Sequence, residues 1–133
     1  MFIKYHKKTE GKIAHKKVKV GEFVFDSKLE AERYEYLRTM EKAGLITELR
    51  PHPRFELQSA FRDSEGVAQR AITYIADFSY MQNGEMIVED VKSPFTAKDS
   101  VFKIKMKMFK RIYPSYKFKV VMYKKSQGGW YVE

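Results

Sequence analysis

The dipeptide Asn83-Gly84 constrains this chain more than any other feature. It sits inside YIADFSYMQNGEMIVEDVKS, residues 74–93, between two runs that alternate apolar and polar positions. Asn-Gly in that setting predicts a two-residue type I′ turn, which needs positive φ at both central positions. A symmetric loop then fixes the register. Gln82 faces Glu85, Met81 faces Met86, Phe78 faces Glu89 and Asp77 faces Asp90. Directly opposed residues have Cβ atoms about 5 Å apart, so two carboxylates meet across the hairpin. Such a pair is destabilising unless a positive group lies between the two. Strand alternation puts Asp90 and Lys92 on one face with Met86 and Val88, and Glu89 on the other with Ile87 and Val91. Charged residues at strand ends are usually solvated, and an asymmetric loop would break the pairing. Three of them gathered on one face point instead to a site.

The remaining pattern predicts the scaffold. Residues 13–25 alternate and suggest a hairpin turning near Gly21. Asp26-Ser27 opens a helix that Gly44 closes. Residues 45–49 and 54–57 read as short strands around Pro51 and Pro53, residues 61–70 as a polar loop, and Pro94 as the end of the hairpin's second strand. A second helix runs from a Thr96-x-x-Asp99 cap to about Tyr113. Its apolar residues, 101, 102, 104, 106, 108, 109, 112 and 113, cover a wide arc opposite Lys103, Lys107, Lys110 and Arg111. Lys105 falls inside that arc and either snorkels to solvent or reaches towards the carboxylates. Residues 117–123 and 130–132 complete the strands. The expected fold is one α+β domain over residues 1–133, with a mixed central sheet packed against helices and an N-terminal β-hairpin.

Glu30 is the next candidate. It shares a helix face with Tyr34 and Leu37, and Leu37 must face the core, so the carboxylate lies on or beside a buried stripe and needs a partner. Ser27-Lys28-Leu29-Glu30 is also a capping box, in which Glu30 bonds back to the cap N–H. Spacing alone leaves both readings open.

Charge is distributed unevenly around the net +9. Residues 1–20 form a basic N-terminal segment with seven lysines, Lys16 and Lys17 among them, against Glu10. Residues 98–125 hold ten Lys and Arg against Asp99. The stretch between, 21–97, has nine basic and fourteen acidic residues. Basic flanks attract a polyanion, most commonly nucleic acid, and acidic groups inside such a footprint repel phosphate unless they hold a cation. The absence of cysteine excludes disulfides and thiolate metal sites. No apolar run approaches the ~18 residues of a membrane span. The first residues lack the apolar stretch of a signal peptide, which makes the cytoplasm the expected location.

FDSKLEAERY, YIADF and VEDVKS together resemble the pattern of the PD-(D/E)XK nuclease superfamily. They are similar in particular to a phage- and prophage-encoded group of small proteins within it, and to transposon end-cleaving nucleases and Holliday-junction resolvases. The resemblance spans residues 20 to about 112 and implies a restriction-endonuclease-like α-β-β-β-α-β core. It places the helix glutamate at Glu30, the strand carboxylates at Asp77 and Asp90, and the lysine at Lys92. Ala76 stands where the pattern puts a proline, and His52 lies where relatives carry a glutamine. The resemblance implies Mg²⁺ or Mn²⁺ held by Asp77, Asp90, Glu30 and the Val91 carbonyl. It also implies a water positioned by Lys92 and leaves the role of His52 open. His52 and Lys105 are the candidates for a supporting position around these groups. The implied substrate is double-stranded or branched DNA in phage replication, recombination or packaging. Lys16, Lys17, Lys103, Lys107, Lys110 and Arg111 would contact its phosphates. Cutting two strands needs two sites, which favours a homodimer. A catalytically inactive nucleic-acid-binding module and a protein-interaction adaptor are the alternatives on the same fold.

Overall fold

The computed structural model describes residues 16–93 and 96–133. The lysines before residue 16, the start of the predicted N-terminal hairpin and Pro94 lie outside the described residues. The first described element is a short antiparallel hairpin, β1 (Val18–Val20) and β2 (Phe23–Phe25), turning at Gly21 as expected. Ser27 caps helix α1 (Lys28–Lys42) by accepting the Glu30 N–H at 3.1 Å, and Gly44, at φ 80°, follows its end.

Five strands make the central sheet: β3 (Thr47–Pro51), β8 (Phe78–Gln82), β9 (Glu85–Val91), β10 (Lys117–Lys124) and β11 (Gly129–Val132), in the spatial order β11-β10-β9-β8-β3. Strands β3, β8 and β9 form an antiparallel meander, and β10 returns parallel to β9 after helix α2 (Ser100–Ile112). The fold is therefore α+β with a mixed five-stranded sheet and two helices. The sheet strands and helices follow in the order α1, β3, β8, β9, α2, β10 and β11, with further strands between β3 and β8. The β8–β9 register agrees with the Asn83-Gly84 expectation from Gln82↔Glu85 to Phe78↔Glu89, and both turn residues have positive φ, 52° and 79°.

Four expectations need correction. The first strand of the predicted hairpin, expected between residue 74 and the Asn83-Gly84 turn, is interrupted at Ala76-Asp77. Its first half, β7 (Ile72–Ile75), leaves the sheet and pairs with β4 (Arg54–Gln58). The supposed polar loop at 61–70 contains a ribbon, β5 (Phe61–Arg62) against β6 (Ala68–Gln69), at the tip of that arm. Its turn is closed by Asp63, whose Oδ1 accepts the N–H groups of Glu65 and Val67 at 2.9 Å each. Asp99, not Thr96, caps α2: its Oδ2 accepts the Phe102 N–H at 3.0 Å, while Thr96 lies in a preceding 3₁₀ turn and bonds Ser93. Finally, the wide apolar arc of α2 is only partly buried. Phe102 and Phe109 enter the core, whereas Val101, Ile104 and Ile112 are exposed.

The sheet buries a core on each face. Towards α1 lie Phe25, Leu37, Ile46, Phe78, Tyr80 and Ile87. Towards α2 lie Leu57, Tyr74, Ala76, Val88, Phe102 and Phe109, joined by Phe55 and Phe118. The period-2 alternation of β9 thus serves both cores: Ile87 packs on the α1 side and Val88 on the α2 side.

Candidate active site

The meander topology brings three strand ends together. Antiparallel pairing places the end of β3, the start of β8 and the end of β9 at one edge of the sheet. His52 follows β3, Asp77 precedes β8, and Asp90 is the second-last residue of β9. The first turn of α1 brings Glu30 to the same edge. The break at Ala76-Asp77 makes this possible, because a continuous strand would keep Asp77 inside a ladder.

Asp77 and Asp90 are held together by reciprocal main-chain bonds. The Asp77 N–H donates to Asp90 Oδ1 at 3.2 Å and to the Glu89 carbonyl at 3.1 Å, and the Val91 N–H donates to Asp77 Oδ2 at 2.7 Å. The regular ladder stops one pair earlier, at Phe78↔Glu89, so side chain–backbone bonds supply the juxtaposition that the register predicted. Tyr74 closes the far side by donating its hydroxyl to Asp90 Oδ2. Asp90 is 2% exposed, whereas Asp77 is half-buried. Burial raises the Asp77 pKa well above the ordinary carboxylate value, and the negative charges of Asp90 and Glu30 add to the rise. Burial also raises Asp90, against the pull of Lys92 and the Tyr74 hydroxyl. Tyr74 in turn keeps its proton far up the pH scale, through burial and the adjacent Asp90 charge.

Glu30 does not complete the capping box. Its N–H bonds Ser27 as expected, but its carboxylate turns away from the cap, and Oε2 lies 2.8 Å from His52 Nε2. Burial raises its pKa, the bond to and charge of His52 lower it, and Asp26 and Asp90 raise it further. His52 occupies the left-handed region at φ 56°, a conformation that costs a non-glycine residue on the order of 1–3 kcal/mol. The surroundings over-determine it: its N–H donates to the Asp77 carbonyl at 2.8 Å and its ring packs on Phe25, centroids 5.4 Å apart. His52 thereby ties the two acidic residues through one side-chain and one backbone contact.

Lys92 leaves the sheet beside Asp90. Its N–H donates to the Val121 carbonyl at 2.9 Å, and its ammonium lies 4.3 Å from the Phe102 ring centroid. Lys105 is half-buried on α2 and forms no ion pair among the described residues. Lys16, Lys103, Lys107, Lys110 and Arg111 are exposed. Lys17 is exposed too, but pairs with Asp26 at 3.0 Å.

One buried charge network escaped the sequence reading. Glu89 is fully buried and receives a bidentate pair from Arg33, at 2.8 and 2.6 Å, together with the Tyr80 hydroxyl. This fork ties α1 to β9 just below the site. Arg33 is also covered by Tyr36 and Trp130, with its guanidinium carbon 4.9 and 5.1 Å from their rings. The available signal was a glutamate alternating with Ile87 and Val91 on the inward face of a strand.

The donor set can be tested against a divalent cation. Mg²⁺ and Mn²⁺ take hard oxygen ligands, and Asp77 and Asp90 offer carboxylates on one edge of the sheet. Among the described residues no three His, Cys, Asp or Glu side chains cluster closely enough to hold a metal ion. Two carboxylates therefore form the protein's direct offering, with Glu30 approaching behind His52. Asp77 is half-buried and Asp90 is buried, so the Asp77 side of the pair is the more open.

Residues 10–128 match the model of a family described as "Protein of unknown function (DUF1064)". No curated protein and no solved structure matches the chain.

Proposed function

The chain belongs to the DUF1064 family, and for it we propose a divalent-metal-dependent nuclease that hydrolyses phosphodiester bonds in DNA. The observation that carries this reading is the pairing of Asp77 with Asp90 at the sheet edge, with Lys92 on the same strand end and Glu30 behind. Opposed carboxylates, one buried and one half-buried, destabilise a fold, so their presence beside a lysine calls for a chemical reason. The resemblance of FDSKLEAERY, YIADF and VEDVKS to PD-(D/E)XK nucleases supports the same reading.

Asp77 and Asp90 would hold the cation. The resemblance would add the Val91 carbonyl and Glu30, although Glu30 does not join the two aspartates in a three-residue cluster among the described residues. Bound there, Mg²⁺ or Mn²⁺ supplies Lewis-acid polarisation of the scissile phosphate and makes water a competent nucleophile near neutral pH. Tyr74 and the Asp77 N–H fix the Asp90 carboxylate, so it needs no reorganisation when charge develops. His52 orients Glu30. Lys92 places a positive charge where the transition state gains negative charge. The exposed cations of α2 add phosphate contacts without sequence preference.

Incubation with supercoiled, linear and four-way-junction DNA, with and without Mg²⁺ or Mn²⁺, tests the proposal. Metal-dependent nicking that Asp77→Asn abolishes supports it. Metal-independent binding with no cleavage of any substrate replaces it with the inactive binding module.

A further inference from the structure

Helix α2 does not cover the whole sheet. Its Lys103, Met106 and Lys110, spaced three and four residues apart, form one wall of a groove of about 570 Å³. The opposite wall is the sheet itself. Phe118, Val120 and Met122 alternate on one face of β10, and Tyr131 joins them from β11, where it pairs with Met122. The floor is therefore apolar and aromatic, with Tyr131 and Phe118 half-buried. Lys98, Lys103 and Lys110 stand on the lip, against one carboxylate, Glu133. Lys103 and Lys110 are seven positions apart, about 10 Å along the helix axis, a span longer than a single phosphate group. The groove also adjoins the candidate active site: Phe102, which lines it, carries the Lys92 ammonium on its ring at 4.3 Å.

We propose that this groove binds an unpaired stretch of nucleic-acid strand, its bases against Phe118 and Tyr131 and its phosphates along Lys98, Lys103 and Lys110. The inference rests on the nuclease reading for its consequence, that the favoured substrate carries a single-stranded flank or branch beside the scissile bond. Charge decides against an apolar peptide, since three lysines face one glutamate. Shape decides against a duplex, whose outer surface is phosphate and whose stacked bases cannot reach a recessed aromatic floor. Unpaired bases can, and stacking on aromatic side chains tolerates any sequence.

The test is fluorescence anisotropy in EDTA, with a labelled single-stranded oligonucleotide and a hairpin duplex of the same sequence. Tyr131→Ala should weaken single-strand binding about tenfold, the scale of one lost stacking contact, and duplex binding less than twofold. Equal losses for both ligands, or none in a folded variant, overturn the proposal. Photo-crosslinking of the unaltered protein to a 5-iodouracil-substituted single strand removes any dependence on the variant's folding. Adducts at Tyr131 or Phe118 support the groove, and adducts confined to other surfaces overturn it. Competition by polyglutamate as effective as by the single strand would assign the groove to an acidic protein and also overturn it. Because no metal is present, groove-dependent binding without later cleavage retains the groove and removes the nuclease reading.

Discussion

His52 and Glu30, twenty-two positions apart in sequence, meet at 2.8 Å between Nε2 and Oε2, and the contact takes the Glu30 carboxylate away from the helix cap its sequence context predicts. The cap survives because Ser27 accepts the Glu30 main-chain N–H. Glu30→Gln should therefore leave α1 intact, with stability within about 1 kcal/mol of wild type, because burial already disfavours the charged form. Cleavage should fall at least tenfold. Urea unfolding and single-turnover cleavage of the same variant check the two halves. A variant as active as wild type would assign Glu30 a structural role only.

The acidic pair should set the pH dependence of the metal-free fold. Both folded-state pKa values lie above the ordinary 3.8, so the unfolded chain releases these protons first as pH rises. Stability present below that pH is lost as the solution passes up through the folded-state values. Asp77→Asn removes the strain, and its melting temperature in EDTA should exceed that of wild type by a margin that widens from acid to neutral pH. Mn²⁺ should raise the melting temperature of wild type and have little effect on this variant. Thermal melts across the pH range, with and without Mn²⁺, give both results.

Much of this arrangement was legible in the sequence, and the exceptions have identifiable causes. Asn83-Gly84 specified the β8–β9 register because only such a pair enters a type I′ turn without strain. The break at Ala76-Asp77 carried no glycine or proline, and its cause is distant: the Ala76 N–H bonds the Pro53 carbonyl and the Asp77 carbonyl accepts from His52. The β4–β7 arm escaped because its strands pair across an intervening ribbon, with no short turn to mark them. Thr96 and Asp99 both suit a helix cap, and Ser93 captured Thr96. His52 could not be placed, since nothing local marks a histidine for a left-handed backbone held by tertiary contacts.

The Arg33–Glu89 fork should govern stability and not chemistry. Both side chains are at least nine-tenths buried, so Glu89→Gln leaves a guanidinium without its counter-charge and should cost roughly 3–5 kcal/mol. A double replacement, Arg33→Met with Glu89→Met, should recover most of that loss. Denaturant unfolding of wild type, Glu89→Gln and the double variant checks both expectations.

Lys92 and Lys107 should separate chemistry from binding. Lys92 lies beside Asp90, and Lys107 is exposed on α2. Lys92→Ala should bind DNA with near-normal affinity and salt slope but turn over poorly, because its charge acts mainly in the transition state. Lys107→Ala should weaken binding to every sequence alike and reduce the salt slope by about one, with cleavage of bound DNA unchanged.

The central claim is that Asp77 and Asp90 form the metal-dependent hydrolytic centre. Single-turnover cleavage of an end-labelled four-way junction, at protein concentrations that saturate binding, measures it most directly. Wild type should cut in Mg²⁺ or Mn²⁺ and not in EDTA, and Asp90→Asn should bind the junction as tightly yet leave it intact. Cleavage by Asp90→Asn at the wild-type rate, or wild-type cleavage that persists in EDTA, would contradict the account.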